Sequence, residues 1–314
     1  MKGVILDADS LGKVDLSPIT GLFQDWQVFG TTSPDQTSER IFNANIVLSN
    51  KIVLDKDILK DSSAVQHISI MATGTNNVDL AAAKAANIIV SNAVAYATPS
   101  VVQHTINLML ALATNIAKYS QDVITGKWQK AGAFCMLDHP ISELNGKTLG
   151  IVGHGELGSN VAAVARAFGM DVLIARGSGS ANKDALPLEE LLPVVDYLSL
   201  HCPLTDQTEN MINKNSLKLM KPGAFLINTA RGGLINTGDL LDALKSGIIA
   251  GAAIDVLNIE PPTVDEPLTN ARLVNLIITP HNAWGSIESR QRLIVQMAEN
   301  IKGFLQGDPL RVVS

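Results

Sequence analysis

Short apolar runs alternate, through the first hundred residues, with polar or Ala-rich stretches. GVILDA (3–8), WQVFG (26–30), NIVLS (45–49), HISIM (67–71) and NIIVS (87–91) have the length and β-branched content of buried strands. VDLAAAKAA (78–86) carries its Ala residues at helical spacing. Strand and helix in alternation predict a mostly parallel sheet with helices on both faces. A longer helical pattern comes next at 100–119, with Pro99 at its start, where a missing N–H costs little. Residues 125–145 lose the periodicity and read as an arm or long loop. A second alternation then begins, with strands expected at 148–153, 171–175, 197–201, 224–228, 250–256 and 275–280. Helices fit between them, at 159–168 and at 237–245. A closing helix at 286–305 places Ile287, Leu293, Ile294, Met297, Ile301 and Leu305 on or near one face, a stripe that must pack.

Two such alternations imply an α/β protein of two doubly wound parallel-sheet domains. Ligands of such sheets sit beyond the carboxyl ends of the strands, so the cleft between the domains is the expected site. The length of 314 residues agrees with two domains. An apolar fraction of 46% against 17% charged residues suffices for large cores and argues against disorder. The net charge is 24 − 30 = −6 with no basic block, which sets nucleic-acid binding aside. The two cysteines, Cys135 and Cys202, form no disulfide framework and no metal pair, so no metal site is expected. The start is too poor in apolar residues for a signal peptide, and no run approaches a bilayer span. The expectation is a soluble, cytoplasmic protein without membrane contact.

Gly153-His154-Gly155-Glu156-Leu157-Gly158 matches G-x-G-x-x-G directly after an apolar strand and before a helical pattern. In that context the first Gly permits the tight turn and the second lets backbone approach a pyrophosphate. The third lets helix pack on strand, and the helix N-terminus favours the phosphate charge. A dinucleotide is the expected ligand. An acid at the end of the next strand would take the ribose 2′-OH, but Ala175 is followed there by Arg176-Gly177-Ser178. Arg176 with Ser178 can receive a 2′-phosphate instead, which tilts the expectation within NAD(P)(H) toward NADP(H). An ordinary solvated Arg is the alternative.

Polar chemistry is concentrated in three later segments, NTARGG (228–233), DVLNIEPP (255–262) and TPHNAWG (279–285). Together with ATGTNNVDL (72–80), the glycine loop and LHCPLT (200–205), they make the whole chain resemble the D-isomer-specific 2-hydroxyacid dehydrogenases, on the side of the glycerate dehydrogenases, also called hydroxypyruvate reductases. The resemblance implies a Rossmann cofactor domain at 99–286. It also implies a discontinuous, flavodoxin-like substrate domain at 1–98 and 287–314, with hinge crossings near Pro99 and Gly285. It implies that Arg231 binds the carboxylate and carbonyl of a small 2-keto acid, that His281 is the acid/base, and that Glu260 holds His281. Asp255 would fix the nicotinamide carboxamide. Further cofactor contacts are implied at Cys202, Pro203, Thr229, Ala230, Arg231, His281 and Gly285. Thr73, Gly74 and Thr75 would offer backbone N–H groups to the substrate carboxylate. Trp284 is either a pocket wall or a core or interface aromatic. The stretch from the 100–119 helix through the arm resembles the family's homodimer contact.

The chemistry asks for the same residue types. A planar guanidinium addresses two oxygens of a 2-keto acid at once. The alkoxide formed by hydride addition needs a proton, which an imidazole beside a carboxylate is suited to supply. His67, His104, His139, His154 and His201 lack such a context and read as structural. Other activities of the family, on phosphoglycerate or D-lactate, remain alternatives, as does a cofactor-sensing interaction protein of the co-repressor kind.

Overall fold

The computed structural model describes residues 1–177 and 184–314. The chain divides into two compact units, Met1–Ala97 with Trp284–Ser314, and Thr98–Ala283.

The first unit is built on five parallel strands, β1 (Lys2–Ile5), β2 (Asp25–Val28), β3 (Ile46–Ser49), β4 (His67–Ile70) and β5 (Ile89–Ser91). Their spatial order is β2-β1-β3-β4-β5, the flavodoxin-like order. Both β3 and β4 are buried at every position, as the interior strands of a sheet covered on two faces must be. Val4, Val47, Ile68 and Val90 face one core, and Ile5, Ile46, Leu48 and Met71 face the other. The terminal helix, Ile287–Leu305, closes the second core with Leu293, Ile294, Met297 and Ile301. Ile287 and Leu305, expected on that stripe, are 70% and 41% exposed; they are the first and last residues of the helix, and its burial is confined to the turns between them. Beyond it the chain returns to the sheet, where Val312 bridges Ser91 and the Val313 N–H donates to the Val90 carbonyl.

The second unit carries six parallel strands, β6 (Thr148–Val152), β7 (Asp171–Ile174), β8 (Tyr197–Leu200), β9 (Phe225–Asn228), β10 (Gly251–Ile254) and β11 (Leu276–Ile278). The order β11-β10-β9-β8-β6-β7 reverses between β6 and β8, which is the switch point of a Rossmann-type sheet. Alternate residues feed the two cores: Leu149, Ile151, Tyr197, Ile227 and Ala253 one, Leu198, Leu200, Leu226, Ala252 and Ile254 the other.

Two helices of this unit border the glycine loop and the ends of β9–β11, α1 (Thr98–Thr114) and α2 (Glu156–Ala167). The helical pattern expected to run unbroken through 100–119 is interrupted at Asn115, which takes the left-handed conformation and donates its side-chain amide to the Pro140 carbonyl. A separate helix, Ile116–Ile124, comes after it. The arm holds one short helix, Lys127–Lys130, and leaves Phe134 and Leu137 exposed. Among the described residues no helix is long and apolar enough to cross a membrane, and no group of three or more His, Cys, Asp or Glu is placed to hold a metal ion.

Candidate active site

The glycine loop lies at the switch point. Gly153 leaves β6 at φ +95°, and a Cβ there would stand 2.5 Å from the backbone N of Cys202. A Cβ on Gly158 would stand 2.1 Å from the Gly153 carbonyl oxygen, so only glycine lets the helix come this close to the turn. Helix α2 starts at Glu156, three residues earlier than the sequence suggests, inside the loop itself. Gly155 has no atom within 4 Å of an added Cβ, so nothing stands over the start of α2 on that side. Unpaired N–H groups at the positive end of a helix dipole, with no side chain over them, fit a pyrophosphate.

Around the loop, His154 and Glu156 are exposed and Leu157 is half-buried. The Glu156 carboxylate accepts a hydrogen bond of 2.6 Å from the Thr98 hydroxyl. Arg176 is exposed after β7, and its Nε donates to the Ala185 carbonyl at 3.1 Å. Ser178 lies outside the described residues. Burial pushes the Cys202 thiol up from its usual range, and its Sγ rests 3.8 Å from Met211 Sδ, an environment unsuited to a thiolate. Pro203 is exposed beside it, and Cys135 is exposed in the arm.

The second cluster stands beyond β9, β10 and β11. These neighbours pair in register at Asn228, Ile254 and Ile278, so the residues after them emerge side by side. The Asp255 N–H donates to the Asn228 carbonyl and the His281 N–H to the Asp255 carbonyl, at 2.9 and 2.8 Å. Asn228 staples its own turn: its Oδ1 accepts from Ala230 N at 3.0 Å and its Nδ2 donates to the Arg231 carbonyl at 2.8 Å. Arg231 stands exposed at that turn, with Nη1 donating to the Ala230 carbonyl. Gly232 presses on the next loop, where its Cβ would lie 2.1 Å from the Leu257 carbonyl carbon. That loop carries Glu260, whose Oε1 accepts from Leu257 N at 2.8 Å while Oε2 meets His281 Nδ1 at 2.5 Å. His281 is held in the left-handed region at φ 49°, a conformation uncommon for a non-glycine residue and frequent at functional sites. The pair is about one-third exposed on each side (31% and 33%), open enough for a small molecule to reach the imidazole.

Asp255 is 1% exposed. Its Oδ1 accepts from Thr279 Oγ1 at 2.5 Å and Asn282 N at 3.0 Å, and its Oδ2 accepts from Ala283 N at 2.9 Å. Helix α1 reaches the same place with three polar side chains. Ser100 donates to the Ala283 carbonyl (2.7 Å), His104 Nε2 meets Thr279 Oγ1 (3.0 Å), and Thr105 meets Thr229 (3.1 Å). The sequence reading takes His104 as structural and places Asn228 and Thr279 in the polar segments without giving either a role. Ser100 and His104, at i and i+4, share one helix face, but that spacing alone does not mark a site.

Thr73, Gly74, Thr75, Trp284 and Gly285 belong to the first unit. The Thr73 carbonyl accepts from Asn92 Nδ2 at 2.8 Å. Trp284 is half-buried in the second core there, edge-on to Tyr96 with ring centroids 6.4 Å apart. The Gly285 carbonyl accepts from Arg290 Nε at 3.0 Å.

A Rossmann-type half with a glycine loop defines the class, a dinucleotide-binding α/β protein. Residues 106–283 match the family described as D-isomer specific 2-hydroxyacid dehydrogenase, NAD binding domain. The chain is 44% identical over 284 residues to the glycerate dehydrogenase of Methylorubrum extorquens, covering 90% of each. It is 41% identical over 310 residues to a putative 2-hydroxyacid dehydrogenase of Haemophilus influenzae, covering 98% of each. A crystal structure of a protein from Thermus thermophilus matches with a TM-score of 0.91 at 30% identity, over 100% of both chains. The chain belongs to the D-isomer specific 2-hydroxyacid dehydrogenase family, whose matched domain binds a nicotinamide dinucleotide.

Proposed function

We propose that the protein reduces small 2-keto acids, hydroxypyruvate or glyoxylate, to the D-2-hydroxy acid with a reduced nicotinamide cofactor. The observation that carries this reading is the 2.5 Å bond between Glu260 and His281, beside the loop that bears Arg231. When bound, the nicotinamide supplies the hydride. Arg231 binds the carboxylate and polarises the carbonyl oxygen. Glu260 accepts from Nδ1 of His281, which fixes the ring and leaves Nε2 as the atom that gives a proton to the forming alkoxide. Asp255 accepts from the carboxamide. Relatives named glycerate dehydrogenase and hydroxypyruvate reductase support the substrate class.

Within the nicotinamide cofactors, Arg176 at the end of β7 favours the 2′-phosphate of NADPH. The exposed apolar residues Ile124, Trp128, Phe134 and Leu137 of the helix and arm after α1 support a homodimer formed through this unit.

The test is the loss of nicotinamide absorbance when a panel of 2-keto acids is offered with NADH and with NADPH. Turnover of hydroxypyruvate or glyoxylate is expected, abolished by His281→Ala with cofactor binding retained. Inertness toward the whole panel refutes the reading. A preference for NADH that persists in Arg176→Ala refutes the NADPH assignment.

A further inference from the structure

His104 stands on α1, 18% exposed, with Nε2 3.0 Å from Thr279 Oγ1 and 3.6 Å from Asp255 Oδ1. A threonine hydroxyl has one proton to give. Thr279 gives it to Asp255 Oδ1 at 2.5 Å, so toward His104 it can only accept, and His104 Nε2 must carry a hydrogen. The result is a directed relay from imidazole N–H to hydroxyl to carboxylate. The relay and the Asn282 amide both load Oδ1, whereas Oδ2 accepts from the Ala283 amide. A carboxylate has about four acceptor positions, so Oδ2 keeps capacity for one further donor.

The geometry points to His104 as a positioning residue that, through Thr279, turns Asp255 so that Oδ2 is presented to the carboxamide N–H of the nicotinamide. This rests on the role proposed for Asp255. Ser100, one turn before His104, and Thr105, next to it, tie α1 to Ala283 and Thr229 and so keep the imidazole at its station. Without the imidazole N–H, the Thr279 hydroxyl oxygen loses the donor that anchors it, and the carboxylate loses its fixed orientation.

The test is equilibrium binding by calorimetry on the full chain, with NAD+ and with its 3-acetylpyridine analogue, using whichever adenosine 2′-form the protein prefers. The analogue has a methyl group where the carboxamide has NH2, so it cannot donate to Asp255. His104→Ala and Thr279→Val are each expected to weaken binding of the natural cofactor about tenfold, the value of one well-made hydrogen bond. Both are expected to leave the analogue within about twofold of the wild type. His104→Gln, which restores an N–H donor, is expected to recover most of the loss.

Equal losses for both ligands would mean a purely structural role and overturn the proposal. Asp255→Asn separates the two levels of the argument. If it discriminates between the ligands and the relay variants do not, His104 is wrongly assigned and Asp255 stands. If Asp255→Asn fails to discriminate, the reading of Asp255 falls, and the relay with it.

Discussion

Replacing Gly232 by Ala adds one methyl group at one of the two tightest approaches in the candidate site. The added Cβ would stand 2.1, 2.2 and 2.5 Å from the Leu257 carbonyl carbon, its oxygen and Asn258 N. Cβ atoms essentially never come nearer than 3.0 Å, so one loop must retreat by at least 3.0 − 2.1 = 0.9 Å. All three atoms are backbone, and no rotamer relieves the clash. Gly232 is not in the left-handed region, so the effect is steric and not torsional. The loops that separate are the one bearing Arg231 and the one bearing Glu260, which holds His281. A displacement near 1 Å of groups that must converge on one substrate costs on the order of 100-fold, or about 2.7 kcal/mol in the barrier. The neighbouring Gly233→Ala is the control, since its Cβ would meet only the flexible tip of Leu204, at 2.8 Å. Steady-state kcat/KM for the keto acid, with thermal unfolding and cofactor binding measured on the same samples, reads the result. A folded Gly232→Ala protein of wild-type kcat/KM, or a Gly233→Ala protein equally impaired, would refute the reasoning.

Glu260→Gln replaces a carboxylate that can only accept from His281 Nδ1 by an amide that can also turn its NH2 toward the ring, and is expected to lower kcat for the keto acid about 100-fold with cofactor binding retained; a kcat within about twofold of the wild type counts against the pairing. Burial pushes His67 and His201 down from 6.5 to about 4. Between those values the unfolded chain binds protons that the folded one refuses, so stability falls as pH drops through that window. His67→Leu is expected to flatten the fall, read as denaturant midpoints at pH 7 and pH 5, and an unchanged slope removes His67 as its source. If the homodimer proposed above forms through the exposed arm, Phe134→Asp combined with Leu137→Asp, which places charge there, is expected to halve the solution mass; an unaltered mass overturns that assignment.

Much of the sheet architecture is legible in the chain because parallel strands covered on both faces are bare apolar runs, as at β3, β4, β8 and β10. The ends of elements are less so. Helix α2 begins within a glycine-rich stretch whose composition argues for a turn, and Asn115 breaks a helix by adopting a backbone conformation that periodicity does not register. Ile287 and Leu305 fit the stripe of the terminal helix, yet a stripe does not say how far burial extends along it. The Glu260–His281 pair was readable from motifs. His104 was not, because a single histidine in an apolar helix looks like filler until Asp255 and Thr279 are known to lie against it.

The terminal helix and the strand-like pairing of Val312 and Val313 make the first unit a structure that synthesis cannot finish early. Residues 98–283 form a contiguous unit and leave the ribosome with everything they need. The amino-terminal sheet waits meanwhile with Ile5, Ile46, Leu48 and Met71 uncovered, for roughly 10–40 s at ordinary rates of elongation. A chain that ends after residue 283 but before the terminal helix therefore carries one completed half and one sticky one, and is a natural client for chaperones. Premature stop codons late in the message are expected to yield aggregates in place of a shortened enzyme.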